Sequence, residues 1–127
     1  MKPGLTAGYS VTIEAAVTPE MFAQFEGKIV HPTYSTVMMI YHMEWASRQI
    51  ILPFLEEHEE GMGISVSANH ILPAPEGSNL KIKAVLTEKK DNKIKTDVFI
   101  VHDTKLIGTG EVTQVILPKT KIKSMLS

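Results

Sequence analysis

Between Val37 and Ala46, apolar side chains fall on nearly every side of a helical wheel, and this constrains the fold more than any other stretch of the chain. The segment from about Ser35 to Glu56, STVMMIYHMEWASRQIILPFLE, contains few helix breakers before Pro53. Proline lacks an N–H and its ring collides with the preceding turn, so Pro53 should end or kink the helix. A helix with one apolar stripe lies on a surface, whereas one apolar all round is buried. The rest of the chain is therefore expected to wrap it.

Strands are available to do so. Tyr9 to Val17 (YSVTIEAAV) is rich in β-branched residues and reads as a first strand. Four more candidates follow the helix: Gly63 to Leu72, Leu80 to Lys89, Lys93 to Val101 and Leu106 to Leu117. In KIKAVLTE, Ile82, Ala84 and Leu86 alternate with Lys81, Lys83 and Thr87; in KIKTDVFIV, Ile94, Thr96, Val98 and Ile100 alternate with Lys95, Asp97 and Phe99. A period of two predicts one dry and one wet face. Lys90-Asp91-Asn92 and His102-Asp103-Thr104 are turn chemistry, so these strands should form an antiparallel meander. Pro73, Pro75 and Gly77 separate the second and third strand candidates. Between the first strand and the long helix, Thr18-Pro19-Glu20 reads as a helix start with proline at the first helical position. MFAQFEG would then be a short helix stopped by Gly27, and KIVHPTY a connecting segment. The expected architecture is α+β, one domain over residues 1–127, with an antiparallel sheet around one long buried helix: the hotdog arrangement.

Composition narrows the function classes. The 127 residues carry a formal charge of −1 with both signs interspersed, which argues against the clustered basic surface that nucleic acid requires. The basic tail PKTKIKS reads as a short solvated end. There is no cysteine, so disulfides, thiolate metal sites and cysteine nucleophiles are excluded. The N-terminal MKPGLTAGYSVT lacks the apolar run of a signal peptide, and no stretch reaches the roughly 18 apolar residues of a membrane span. A cytoplasmic protein without membrane or nucleic-acid partners is expected.

Few side chains can carry chemistry. Glu44 lies inside the apolar helix between Met43 and Trp45. It stands four residues before Arg48, the favourable order for a helical ion pair; in a dry cleft it would instead be a general base or nucleophile. His70, in GISVSANHILPAPEG, is either a hydrogen-bonded strand residue or a group that donates to a carbonyl. Ser35 and Thr36 compete for the helix cap, and the hydroxyl that loses is free to orient a substrate or the carboxylate. Gly63 is either a turn residue or a place where backbone approaches a ligand closely. Along one straight helix Thr36 and Glu44 stand ~12 Å apart. Either Thr36 sits in a bent lead-in to the helix, or a shared site takes residues from two protomers. The other histidines (His31, His42, His58, His102) lack metal-ligand spacing, Gly108-Thr109-Gly110 is no phosphate loop, and Met38, Met39 and Met43 read as core filler. No metal or cofactor is expected.

As a set these residues resemble the fluoroacetyl-CoA thioesterase family of hotdog proteins. The likeness rests on Thr36, seven intervening residues, then Glu44-Trp45-Ala46, followed by Pro53, Leu55, an acidic loop to Gly63, His70, Pro75 and Gly77, with His102-Asp103 and Gly108-x-Gly110 in the last hairpin. It implies a catalytic set of Thr36, Glu44 and His70, a substrate-holding amide at Gly63, and a side-by-side homodimer with sites at the interface, alone or paired into a tetramer. Where the fluoroacetyl-specific enzyme carries lid phenylalanines this chain has Gly27 and Val30, and Gln114 stands in place of an arginine. The activity that carries over is hydrolysis of an acyl-CoA with a small or medium acyl group. The alternatives are a non-catalytic acyl-CoA-binding or sensing module and, less well supported, an enoyl-thioester hydratase.

Overall fold

A computed structural model describes all residues, 1–127. Five strands form one antiparallel sheet in the order β1-β5-β6-β7-β4: β1 (Ser10–Ala16), β4 (Glu59–His70), β5 (Asn79–Lys90), β6 (Lys93–His102) and β7 (Lys105–Pro118). The long helix α1 (Thr36–Ile51) packs across one face. The expected α+β hotdog architecture is the observed one. The alternation in β5 and β6 falls as predicted: Ile82, Ala84, Leu86, Ile94, Val98 and Ile100 are buried beneath α1, while the intervening lysines face water. Asp91 and Asp103 take left-handed backbone (φ 56° and 53°) to close the two-residue turns of the meander.

Four features differ from the sequence reading. Phe22–Phe25 is a strand, β2, rather than a helix, and it pairs with β3 (Lys28–Tyr34), the segment expected to be a plain connection. Pro19 opens only one 3₁₀ turn, Pro19–Met21. Glu26 and Gly27 then both adopt positive φ (53° and 77°), the geometry of a tight hairpin, so Gly27 turns a ribbon instead of stopping a helix. Second, the segment read as running to Glu56 is α-helical only to Ile51; Pro53, expected to end or kink it, does so from a 3₁₀ turn, Leu52–Phe54, in keeping with its missing donor. Third, the basic tail is helical, α2 (Lys119–Met125).

The fourth difference matters for function. α1 is not wrapped all round within one chain. Met39, His42, Met43, Ala46, Ser47, Ile50 and Ile51 are buried, but Val37, Tyr41 and Trp45, spaced by four, remain 65, 57 and 42 % exposed. Beside this stripe runs β4, an edge strand with no neighbouring strand on its outer side. Open apolar surface next to an open sheet edge is the pattern of an unfinished interface.

Two glycines let the helix settle so closely. A Cβ on Gly108 would collide with the Met39 sulfur, and one on Gly110 would lie 2.6 Å from the Met43 sulfur and 2.5 Å from the Ser67 carbonyl. Met39 and Met43 are core filler, as expected, and the GTG run is the floor they rest on. No helix is long and apolar enough to cross a membrane.

Candidate functional site

The start of α1 decides which hydroxyl is available. Ser35, extended at φ −82° and ψ 152°, accepts a hydrogen bond from the Met38 N–H at 3.0 Å and caps the helix. Thr36 is thereby spared that duty. Its Oγ1 lies 2.9 Å from His70 Nδ1, at the end of β4. The Nε2 of His70 is the one buried side-chain polar atom without a hydrogen-bond partner. A buried unpaired polar atom is costly, and the single chain supplies no partner for this nitrogen. If Thr36 donates to Nδ1, then Nε2 carries the proton and is a donor.

His70 is backed by a second, more deeply buried pair that sequence reasoning missed. The ring of Tyr34 meets that of His70 edge-on, with centroids 6.0 Å apart. Tyr34 OH lies 2.6 Å from His42 Nδ1, and both residues are almost wholly buried. Burial pushes the Tyr34 phenol well above its ordinary range and lowers the His42 pKa, so both are neutral at pH 7. A histidine on the buried face of α1, eight residues after a tyrosine, was the available signal.

Glu44 occupies a different place. The helical ion pair with Arg48 is not formed: Arg48 reaches across to β4 and binds Glu60 at 2.9 Å. That bond lowers the Glu60 pKa, with help from the Gly61 N–H. Glu44 takes part in none of the molecule's ion pairs and is exposed in the single chain, not enclosed in a dry cleft. It leans over Gly63, where a Cβ would stand 2.9 Å from Glu44 Oε1. Gly63 is therefore a close-approach glycine within β4, not a turn residue. A bulge directly follows it, since Gly63 pairs with Gln114 and Ser65 with Thr113, leaving Ile64 extra. Glu44, Tyr41, Trp45, Arg48, Gly63 and Gln114 line a cavity of about 310 Å³.

The four predicted site residues thus form two pairs, Thr36 with His70 and Glu44 with Gly63. Thr36 is the first residue of one continuous helix, Thr36–Ile51, so no bent lead-in shortens its distance from Glu44. Eight residues at 1.5 Å each keep the pairs ~12 Å apart along α1.

The profile of the fluoroacetyl-CoA-specific thioesterase family matches residues 17–120. The chain belongs to this family. It is a thioester hydrolase by that membership. The fluoroacetyl-CoA thioesterase of Streptantibioticus cattleyicolor is 23 % identical over 98 % of this chain and 94 % of its own length. A crystal structure of a Thermus thermophilus protein described as a thioesterase superfamily member superposes with a TM-score of 0.94 at 41 % identity, covering 98 % of this chain and 92 % of that one. A structure of the fluoroacetyl-CoA thioesterase FlK gives 0.88 at 21 % identity, covering 97 % and 96 %.

Proposed function

We propose that this thioesterase hydrolyses small or medium acyl-CoA thioesters at composite sites of a homodimer, with Thr36 and His70 of one protomer facing Glu44 and Gly63 of the partner subunit. The observation that carries this reading is the buried, unpartnered Nε2 of His70, whose ring is anchored through Nδ1 by Thr36, a residue ~12 Å along α1 from Glu44 of the same chain. The exposed Val37–Tyr41–Trp45 stripe and the open β4 edge supply the contact surface for a second copy. An isologous contact of this kind creates two equivalent sites.

In this arrangement the His70 Nε2–H bonds the thioester oxygen and stabilises its developing negative charge. Glu44 either takes a proton from water or attacks the carbonyl itself to form an anhydride. Proton transfer by a positioned carboxylate contributes roughly 10²–10⁴-fold. The acyl group has a place beside Thr36. Phe22, Phe25, Val30, Val37 and Met38, from the β2–β3 hairpin and the first turn of α1, line a cavity of about 390 Å³. Its partly apolar walls, next to Thr36, suit an acyl chain.

The test is hydrolysis of a panel of acyl-CoAs of increasing length. Turnover that is abolished by Glu44→Gln and by His70→Ala supports the reading. Wild-type rates in both variants would overturn it, and thermal stabilisation by acyl-CoA without any turnover would indicate a binding module instead.

A further inference from the structure

One polar side chain in the wall of the Glu44 cavity has no part in the chemistry above. Gln114 lies in β7, is 5 % exposed, and is the register partner of Gly63. Paired residues of antiparallel strands send their side chains to the same face. Gln114 therefore rises on the side where Glu44 overhangs Gly63. Its Nε2 donates to the backbone carbonyl of Ser47 at 3.0 Å. A carbonyl can only accept, so this bond fixes which end of the amide is which.

The other end, Oε1, receives no hydrogen bond from the protein and borders the same cavity as Glu44. It lies 3.6 Å from the Cβ position of Gly61, while Glu44 Oε1 lies 2.9 Å from that of Gly63. Gly61 and Gly63 share one face of β4, ~7 Å apart along the strand. Two acceptors thus border one cavity, floored at Gly63 by bare backbone and closed over Gly61 by the Ile51 and Ile116 side chains. Neither can donate to the other, so a molecule that bridges them has to supply both hydrogens. Water is the small molecule that can give a proton to each and still present a lone pair.

We infer that Gln114 is a positioning residue that holds the hydrolytic water against Glu44, an inference that rests on the thioesterase reading above. One O–H of the water donates to Gln114 Oε1 and the other to Glu44, whose exposed carboxylate turns to close the span. The remaining lone pair points out of the gap toward the thioester carbonyl. Attack forms the new C–O bond as Glu44 takes the proton it was bonded to. Collapse of the tetrahedral species breaks the C–S bond, and the proton on Glu44 passes to the departing thiolate. The amide is fixed through Nε2 before substrate arrives, so little reorganisation is needed during the reaction.

The experiment compares wild type with Gln114→Met, Gln114→Glu and a control, Ser47→Ala, in the intact protein. Ser47→Ala breaks the 2.7 Å Ser47–Thr96 hydroxyl bond in the same buried layer but keeps the carbonyl that anchors Gln114. Steady-state kinetics on the best acyl-CoA and a ¹³C NMR titration of the Glu44 carboxyl are read together. The other charged groups at the cavity, Arg48 and its partner Glu60, are unchanged throughout. Gln114→Met should lower kcat roughly 10- to 100-fold with KM nearly constant, because the water is misplaced. Ser47→Ala should lose thermal stability and keep its kcat. Gln114→Glu sets a second carboxylate across the gap and should raise the Glu44 titration midpoint by about one unit. A folded Gln114→Met enzyme with wild-type kcat would overturn the inference. So would an unmoved Glu44 titration in Gln114→Glu, whether or not the Met variant folds. A wild-type protein without any thioester turnover would instead remove the proposed function, and the titration would still decide whether Gln114 faces Glu44.

Discussion

Thr36 Oγ1 lies 2.9 Å from His70 Nδ1, joining the first residue of α1 to the last residue of β4. Ser35 next door has the capping role, and under the proposed function Thr36 serves activity instead. Thr36→Val should lower kcat roughly 10- to 100-fold by freeing the imidazole, and Thr36→Ser should restore most of it. Ser35→Ala should cost about 1 kcal/mol of stability and leave kcat near wild type. Denaturant melts alongside kinetics on the three variants check the division.

Gly63→Ala tests the approach of Glu44 to β4. The added Cβ would stand 2.9 Å from Glu44 Oε1, and the exposed carboxylate can swing away at little cost to stability. Activity should still fall by about 10²-fold, because displacement by about 1 Å is enough to misalign a reacting group. Equal melting temperatures with unequal kcat are the expected result.

Mixing two inactive variants addresses the composite site. His70→Ala and Glu44→Gln homodimers should each be nearly inactive. After unfolding and joint refolding, half of the dimers pair one of each and carry one intact site, so about a quarter of wild-type activity should return. Ile64→Asp, placed on the exposed bulge of the β4 edge, should lower activity and shift sedimentation toward monomer together. Full activity in a sedimenting monomer would refute the shared site.

The pH dependence of stability follows from His42. Burial lowers its folded-state pKa below the unfolded value near 6.5, so the unfolded chain binds the proton more tightly. Its contribution is complete above about pH 6.5 and is lost as pH falls through the lower folded value. Glu60, held down by Arg48, has its loss below the ordinary carboxylate range. Urea melts at half-unit steps from pH 8 to pH 5 should show falling midpoints below about 6.5, and His42→Gln should flatten that limb.

Gly110→Ala should destabilise the fold by about 1–3 kcal/mol, since the new methyl meets the Ser67 backbone carbonyl as well as the movable Met43 side chain. A control at Gly8, where no atom lies within 4 Å, should be affected only through its positive φ of 94°. Thermal denaturation of both variants checks the comparison.

Much of the fold was legible in local pattern. The period-two runs of β5 and β6, the turns at Asp91 and Asp103 and the break at Pro53 depend on nearest neighbours, and each falls where the residues predict. The β2–β3 hairpin was not legible. Pro19 signals a helix start over three residues, but pairing between Phe22–Phe25 and Lys28–Tyr34 outweighs it, and Gly27 serves equally as a helix stop or a ribbon turn.

The site divides along the same line. The chain itself determined which groups are available: a hydroxyl, a carboxylate and an imidazole on an apolar background, with no cysteine to compete. Only the tertiary structure decided their partners. Arg48 left Glu44 for Glu60, Ser35 freed Thr36 for His70, and Gly63 met Glu44 across α1 and β4. Helical spacing fixes distances within one element. Contacts between elements depend on how α1 is set down on the sheet, and glycines at 108 and 110, residues without side chains, set that height.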